Sequence, residues 1–220
     1  MKAAARAHER FSRFLTEYLK EGVRPSCQAG CFQCCHGYVE ASLGEAELAL
    51  AAADADTRRR VYREGKRRAE RLAREKEEEG MLELWFKSRL LCPFLKDGLC
   101  QVYEKRPLSC RGVLTDLSPR LCRPENDAWP PLDRRKYGPE HYLRRPKEES
   151  GKAFFRLLDE EARERGFTLA GDLAVLGYLL QHPPFQRALK KGPQAVRAYL
   201  ARRRLLGGRF GLWLRLRSRR

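Results

Sequence analysis

Eight cysteines in two compact blocks constrain this chain more than any other feature of its 220 residues. The first block is Cys27-x3-Cys31-x2-Cys34-Cys35, and the second holds Cys92, Cys100, Cys110 and Cys122. Thiols three or four residues apart on a turn can face one centre, and closing such short loops costs little chain entropy. Tetrahedral zinc and cubane iron–sulfur clusters both take about four thiolates at roughly 2.3 Å from the metal. The spacing therefore points to zinc or an iron–sulfur cluster, with the eight thiols as candidate ligands. Cys35 directly follows Cys34, and neighbouring side chains diverge. Either one of the pair is a ligand and the other is structural or redox-active, or two centres share the eight thiols. His36 reads as a further ligand or proton donor, or simply as polar surface.

Metal binding competes with disulfide formation, and the compartment weighs between them. The N-terminus, Met1-Lys2-Ala3-Ala4-Ala5-Arg6, lacks the apolar core of a signal peptide. No apolar run approaches the roughly 18 residues of a membrane span. A cytoplasmic location is expected, where thiols stay reduced and clusters of them bind metal. Two Met, 12 Pro and abundant Arg, Ala and Leu suggest a thermophile or a high-GC genome. Intracellular disulfides occur in hyperthermophiles, so disulfides are the competing reading.

Outside the cysteine blocks the pattern is helical, and the expected fold is mainly α. Phe11, Phe14, Leu15, Tyr18 and Leu19 recur at helical spacing and predict a helix over 4–21, ended by Gly22 and Pro25. Ser42-Leu43-Gly44-Glu45 fits a capping box ahead of a helix over 45–53. Residues 57–80 are almost all charged, with sparse anchors at Val61, Ala69 and Leu72, and read as a long exposed helix or a partly disordered one. Met81, Leu82, Leu84, Trp85 and Phe86 form an apolar cluster suited to docking on the core. The region 92–122 reads as loops and turns. Five prolines, Pro124, Pro130, Pro131, Pro139 and Pro146, mark an irregular connector. Helices follow at 150–165, 170–181, 184–191 and 193–205, separated by Gly166, Pro183-Pro184 and Gly192-Pro193. The stretch 210–217 reads as a strand, an amphipathic basic tail or a disordered end. The resulting division is a cysteine-cluster domain over 1–125, a connector over 126–147, a helical region over 148–205 and a basic tail over 206–220.

The motif residues resemble a known family. Cys27-x3-Cys31-x2-Cys34-Cys35, the helix around Glu45, Cys92-Pro93-Phe94-Leu95, the run from Cys100 through Tyr103-Glu104-Lys105-Arg106-Pro107, and Cys110-Arg111 together resemble the YkgJ-type cysteine cluster family. That family is described as zinc- or iron-chelating, and the resemblance covers about residues 27–113. The chain is also distantly similar to the cysteine-rich part of flagellin lysine N-methylases, which are longer proteins. The resemblance favours Cys27, Cys31, Cys34, Cys92, Cys100 and Cys110 as ligands. Cys35 belongs to the motif, and Cys122 lies beyond it. Four thiolates on a divalent zinc leave a charge of about −2, which nearby cations must offset. Arg106 and Arg111 are placed to do so, or else pair structurally with a carboxylate such as Glu104. Phe94, Leu95 and Tyr103 are expected to pack beside the centre and keep water away.

Three functions follow from this sequence. The first is a metal-binding protein without catalysis of its own. The second is a cluster-dependent enzyme related to protein (flagellin) lysine methylation. Cys-x3-Cys-x2-Cys is also a radical-SAM spacing, but the chain lacks the alternating strands and helices of that barrel and a Gly-rich cofactor segment. The third is an adaptor for a polyanion, either nucleic acid or an anionic membrane surface. The formal charge is +17, and residues 201–220 hold eight Arg and no acid.

Overall fold

The computed structural model describes residues 1–36, 38–74, 90–122, 132–133, 135–137, 141–208 and 210–217. The chain is mainly α. In order it has α1 (Lys2–Lys20), β1 (Glu40–Ser42), α2 (Leu43–Ala52), α3 (Ala55–Arg74), β2 (Leu95–Lys96), β3 (Leu99–Cys100) and α4 (Leu108–Arg111). It continues with α5 (Arg144–Arg165), β4 (Phe167–Asp172), α6 (Leu173–Gln181), α7 (Pro183–Lys191), α8 (Pro193–Arg202) and β5 (Trp213–Leu216). Short 3-10 turns at Tyr103–Lys105 and Pro119–Cys122 flank α4. The apolar cluster at 81–86, the end of the charged helix at 75–80, and Pro124, Pro130, Pro131 and Pro139 lie outside the described residues.

The first helix forms where its apolar spacing predicts. It buries Phe11 and Tyr18 together with Ala3, Ala4, Ala7 and His8. Gly22, at φ +90°, lets the chain turn after it. The capping box also forms: Ser42 Oγ accepts from the Glu45 amide at 3.1 Å, and Glu45 accepts from the Ser42 amide at 2.9 Å.

The charged segment from 57 is helical and anchored at Val61, Ala69 and Leu72 as expected, and it is less exposed than its charge suggests because Gly65 and Arg68 are buried too. As α3 it packs along α6, burying Val61, Gly65, Arg68, Ala69 and Leu72. Gly65 permits that approach, because a Cβ there would lie 2.0 Å from the Ala174 carbonyl oxygen and 2.7 Å from Tyr178 Cβ. Asp54 starts the helix by accepting from the Thr57 amide at 2.6 Å.

Helix boundaries shift in three places, one of them the helix expected over 193–205, which ends at Arg202. The helix expected at 150 begins at Arg144, with Pro146 in its first turn, where the missing N–H costs nothing. The helix expected at 170 begins at Leu173, because residues 167–172 form β4 instead. That strand is buried along its whole length and is the centre of an antiparallel sheet in the order β1-β4-β5. Ala41 pairs with Gly171, and Leu169 pairs with Leu214. Gly171 has φ +154°, and a Cβ there would lie 2.5 Å from Leu212 Cδ2. Asp172 closes the strand and caps α6, accepting from the Val175 amide at 3.0 Å. Residues 213–216 of the basic terminus form the edge strand β5, and Arg215 pairs with Asp159. The main core joins α2, α3, β4 and α6 to Phe94, Val102, Phe185, Val196 and Leu200. Among the described residues no helix is long and apolar enough to cross a membrane.

Candidate metal centre

Local turns shape the first cysteine block. The Cys31 amide donates to the Gln28 carbonyl at 3.0 Å, and the Cys35 amide donates to the Phe32 carbonyl at 2.9 Å. Gly30, at φ +88°, sits between Cys27 and Cys31 in the left-handed region open to glycine. The second block is joined to the first by backbone. The Cys92 amide donates to the Cys35 carbonyl at 2.9 Å, and His36 bridges Leu91. A tight turn follows, in which the Leu95 amide donates to the Cys92 carbonyl at 2.9 Å, and β3 then sets Cys100 opposite Leu95.

Helix α3 clamps the chain on both sides of Cys92. Arg68 donates to the Leu91 carbonyl at 3.0 Å, and Arg60 donates to the Pro93 carbonyl at 3.4 Å. The short helix α4, which carries Cys110, is pinned from the other direction. Glu45 of the capping box accepts from the Leu108 amide at 2.7 Å, and Ser109 donates to the Glu40 carbonyl at 2.6 Å. The α2 N-terminus therefore fixes the position of a candidate ligand far along the chain. Cys27 is held against Thr115, whose amide donates to its sulfur at 3.4 Å.

The eight thiols share one electrostatic neighbourhood. Seven are half-buried, and Cys34 is exposed. Burial pushes Cys27 up, as do the charges of Cys34 and Cys31. Burial with Cys27, Cys34 and Cys31 pushes Cys122 up to about 12. Cys92 rises to about 12, mostly through burial and then through Cys100. Cys110 rises through burial and the charges of Cys92, Cys34 and Cys100. Cys100 rises through burial, with Cys34 adding to it. Within the adjacent pair, the hydrogen bond from Cys35 brings Cys34 down to about 7, aided by Arg106, while Cys35 is driven far up. Cys27, Cys92, Cys100, Cys110 and Cys122 therefore resist ionising together unless a cation compensates them.

Arg106 is the cation nearest to that task. Its guanidinium lies 3.6 Å from the Tyr103 ring centroid, and its charge favours ionisation of Cys27, Cys34, Cys100 and Cys110. Arg111 is engaged differently. It donates to the carbonyls of Arg106 and Glu104 and to Ser12 Oγ, tying the loop to α1. Neither arginine takes the Glu104 carboxylate as a hydrogen-bond partner. Phe94 is buried in the main core, against which Cys92 and Cys100 pack, while Leu95 and Tyr103 are half-buried. Three residues beside the thiols carry no sequence signal: Thr115, Arg68 and Tyr142. Burial raises the Tyr142 phenol, and the charges of Cys34, Cys122 and Cys27 raise it further.

Among the described residues no three Cys, His, Asp or Glu side chains stand in an arrangement ready to hold a metal ion. The thiols are neighbours and not yet a cage. Their chemistry nonetheless fits a thiophilic metal, because the assembled donors are soft sulfurs attended by a cation. The comparisons agree on the same class. Residues 26–130 match the CxxCxxCC family model, described as a putative zinc- or iron-chelating domain. No curated protein and no solved structure matches the chain.

Proposed function

With a CxxCxxCC zinc- or iron-chelating domain over residues 26–130 as the premise, we propose that this chain is a non-catalytic metal-binding protein of a reducing compartment. In this reading the eight thiols hold zinc or iron–sulfur in two adjoining centres. Cys27, Cys31, Cys34 and Cys122 would form one centre, and Cys35, Cys92, Cys100 and Cys110 the other. The observation that carries the reading is the backbone join between the two blocks, where the Cys92 amide donates to the Cys35 carbonyl at 2.9 Å and sets Cys35 on the side of the second block. Burial and then the thiols of the first set raise Cys122 and Cys27, and Cys34 reaches across to Cys100 and Cys110 as well. Cys35 is driven up first by its hydrogen bond with Cys34 and by burial, and then by Cys92 and Cys110. The adjacent pair then needs no unusual convergence, since each thiol serves its own side. Arg106 supports both centres by offsetting the thiolate charge.

Anaerobic purification with metal and acid-labile sulfide analysis tests this. Brown protein with stoichiometric sulfide identifies iron–sulfur, and colourless protein with zinc identifies zinc. Cys31→Ser and Cys100→Ser should each remove about half of the bound metal, and together nearly all. A single centre lost entirely in either variant would overturn the two-centre assignment. A stable, metal-free protein with its thiols paired as disulfides would overturn metal binding itself.

A further inference from the structure

A second site lies on a part of the molecule that no cysteine lines. Helices α3 and α6 and the segment after α8 enclose a cavity of about 450 Å³, within the roughly 300–1,000 Å³ range of small-molecule sites. One wall is aromatic. Tyr62 and Tyr178 meet edge to face with centroids 5.2 Å apart, and His182 lies 5.2 Å from Tyr178. Tyr199 fixes the imidazole through a 3.0 Å hydrogen bond between its hydroxyl and Nδ1. The other wall is cationic. Lys66 and Arg203 line the cavity, and Arg203 lies 5.0 Å from the Tyr199 ring centroid. Burial lowers the His182 pKa, and the charges of Arg203, Arg187 and Lys66 lower it further, so a positive field crosses this pocket. Glu70, which pairs with Lys66 at 3.8 Å, is the carboxylate on the wall. Among the described residues Arg203 and Arg187 meet no carboxylate.

We propose that this cavity binds a mononucleotide, its base against the Tyr62–Tyr178–His182 wall and its phosphate toward Arg203 and Lys66. A plain anion would use only the cations, and an uncharged ring would use only the tyrosines. A phosphorylated planar ring uses both, through ring contacts and charge-assisted hydrogen bonds. This site does not depend on the metal reading.

The test is calorimetry on the full-length, metal-loaded protein with AMP, adenosine and ribose 5-phosphate. AMP should bind about tenfold tighter than either fragment, and Arg203→Ala and Lys66→Ala should each weaken it about fivefold or more. Both side chains are exposed, so metal content and thermal midpoint should stay at the wild-type values. AMP binding no tighter than ribose 5-phosphate, or unchanged in Arg203→Ala, would overturn the proposal. Tighter binding of an oligoadenylate, lost in the same variants, would also overturn it and assign the pocket to a nucleic-acid strand.

Discussion

Arg68→Met should be among the costliest single substitutions in this chain. The guanidinium is 2% exposed and its partner Asp172 is 1% exposed, with Nη1 and Oδ2 3.3 Å apart. Removing the arginine leaves a buried carboxylate without its countercharge, a loss of about 3–5 kcal/mol. Asp172 keeps its capping bond to the Val175 amide at 3.0 Å, so α6 still starts correctly and the loss is electrostatic. The side chain bonds Glu64 at 2.9 Å and the Leu91 carbonyl at 3.0 Å as well, so metal affinity should fall with stability. Arg67→Met is the control. It bonds the same Glu64 at 3.0 Å, but it is 63% exposed and should cost no more than about 0.5 kcal/mol. Urea unfolding at pH 8 and pH 5 reads both. Burial already raises the Asp172 carboxyl despite Arg68, and without Arg68 it rises further. A carboxyl raised in the folded state stabilises below its unfolded pKa and loses that contribution as pH climbs through the folded value. The Arg68→Met deficit should therefore be larger at pH 8 than at pH 5. A deficit within 1 kcal/mol of wild type, or one independent of pH, would refute the buried-pair reasoning.

Other tests reach different parts of the fold. Gly65→Ala gains helix propensity but drives a methyl into the Ala174 carbonyl, so it should lose about 1–3 kcal/mol in urea unfolding. Gly151→Ala, where nothing lies within 4 Å, should gain about 0.5–1 kcal/mol. Burial raises Glu161 to about 7, and it accepts from Ser42 Oγ at 2.7 Å and the Gly44 amide at 3.0 Å. Through this group wild-type stability should thus fall by roughly 2–3 kcal/mol between pH 4.5 and pH 8, and Glu161→Gln should remove that fall. Metal affinity should rise with pH and metal uptake should release protons, because burial holds Cys92 and Cys122 up to about 12 in the metal-free chain; pH-stat titration counts the protons.

What could be read from the chain was local. The capping box at Ser42–Glu45 and the close spacing of the first cysteine block involve residues a few positions apart, so their chemistry is written in adjacent letters. Strand β4 was misread in part because Phe167–Asp172 carries no alternation. It is buried on both faces, and its partners are β1 and β5, both distant in the chain. Arg68 looked like one charge among many on α3, since its burial depends on Asp172, 104 residues away. Thr115 meets Cys27 across 88 residues, with no motif around it to signal the contact.

The same long-range contacts bear on how the cysteine-bearing part of the chain is held. Residues 26–130 match the family model, yet β1 within them takes its sheet partner from β4 outside them. Glu161 of α5 satisfies the Ser42 hydroxyl and the Gly44 amide at the start of α2. The same α2 carries Glu45, which fixes the Leu108 amide and with it the helix bearing Cys110. Asp172 holds Arg68, and Arg68 holds the carbonyl before Cys92. Two chains of hydrogen bonds thus run from the C-terminal half to two candidate ligands. Cutting the chain to 26–130 would leave Ala41 and Ser42 of β1, the Arg68 charge and the α2 N-terminus without these partners, all of them buried in the full chain. The thiol spacing supplies the donors, and the distant helices and central strand supply the framework that keeps them in place.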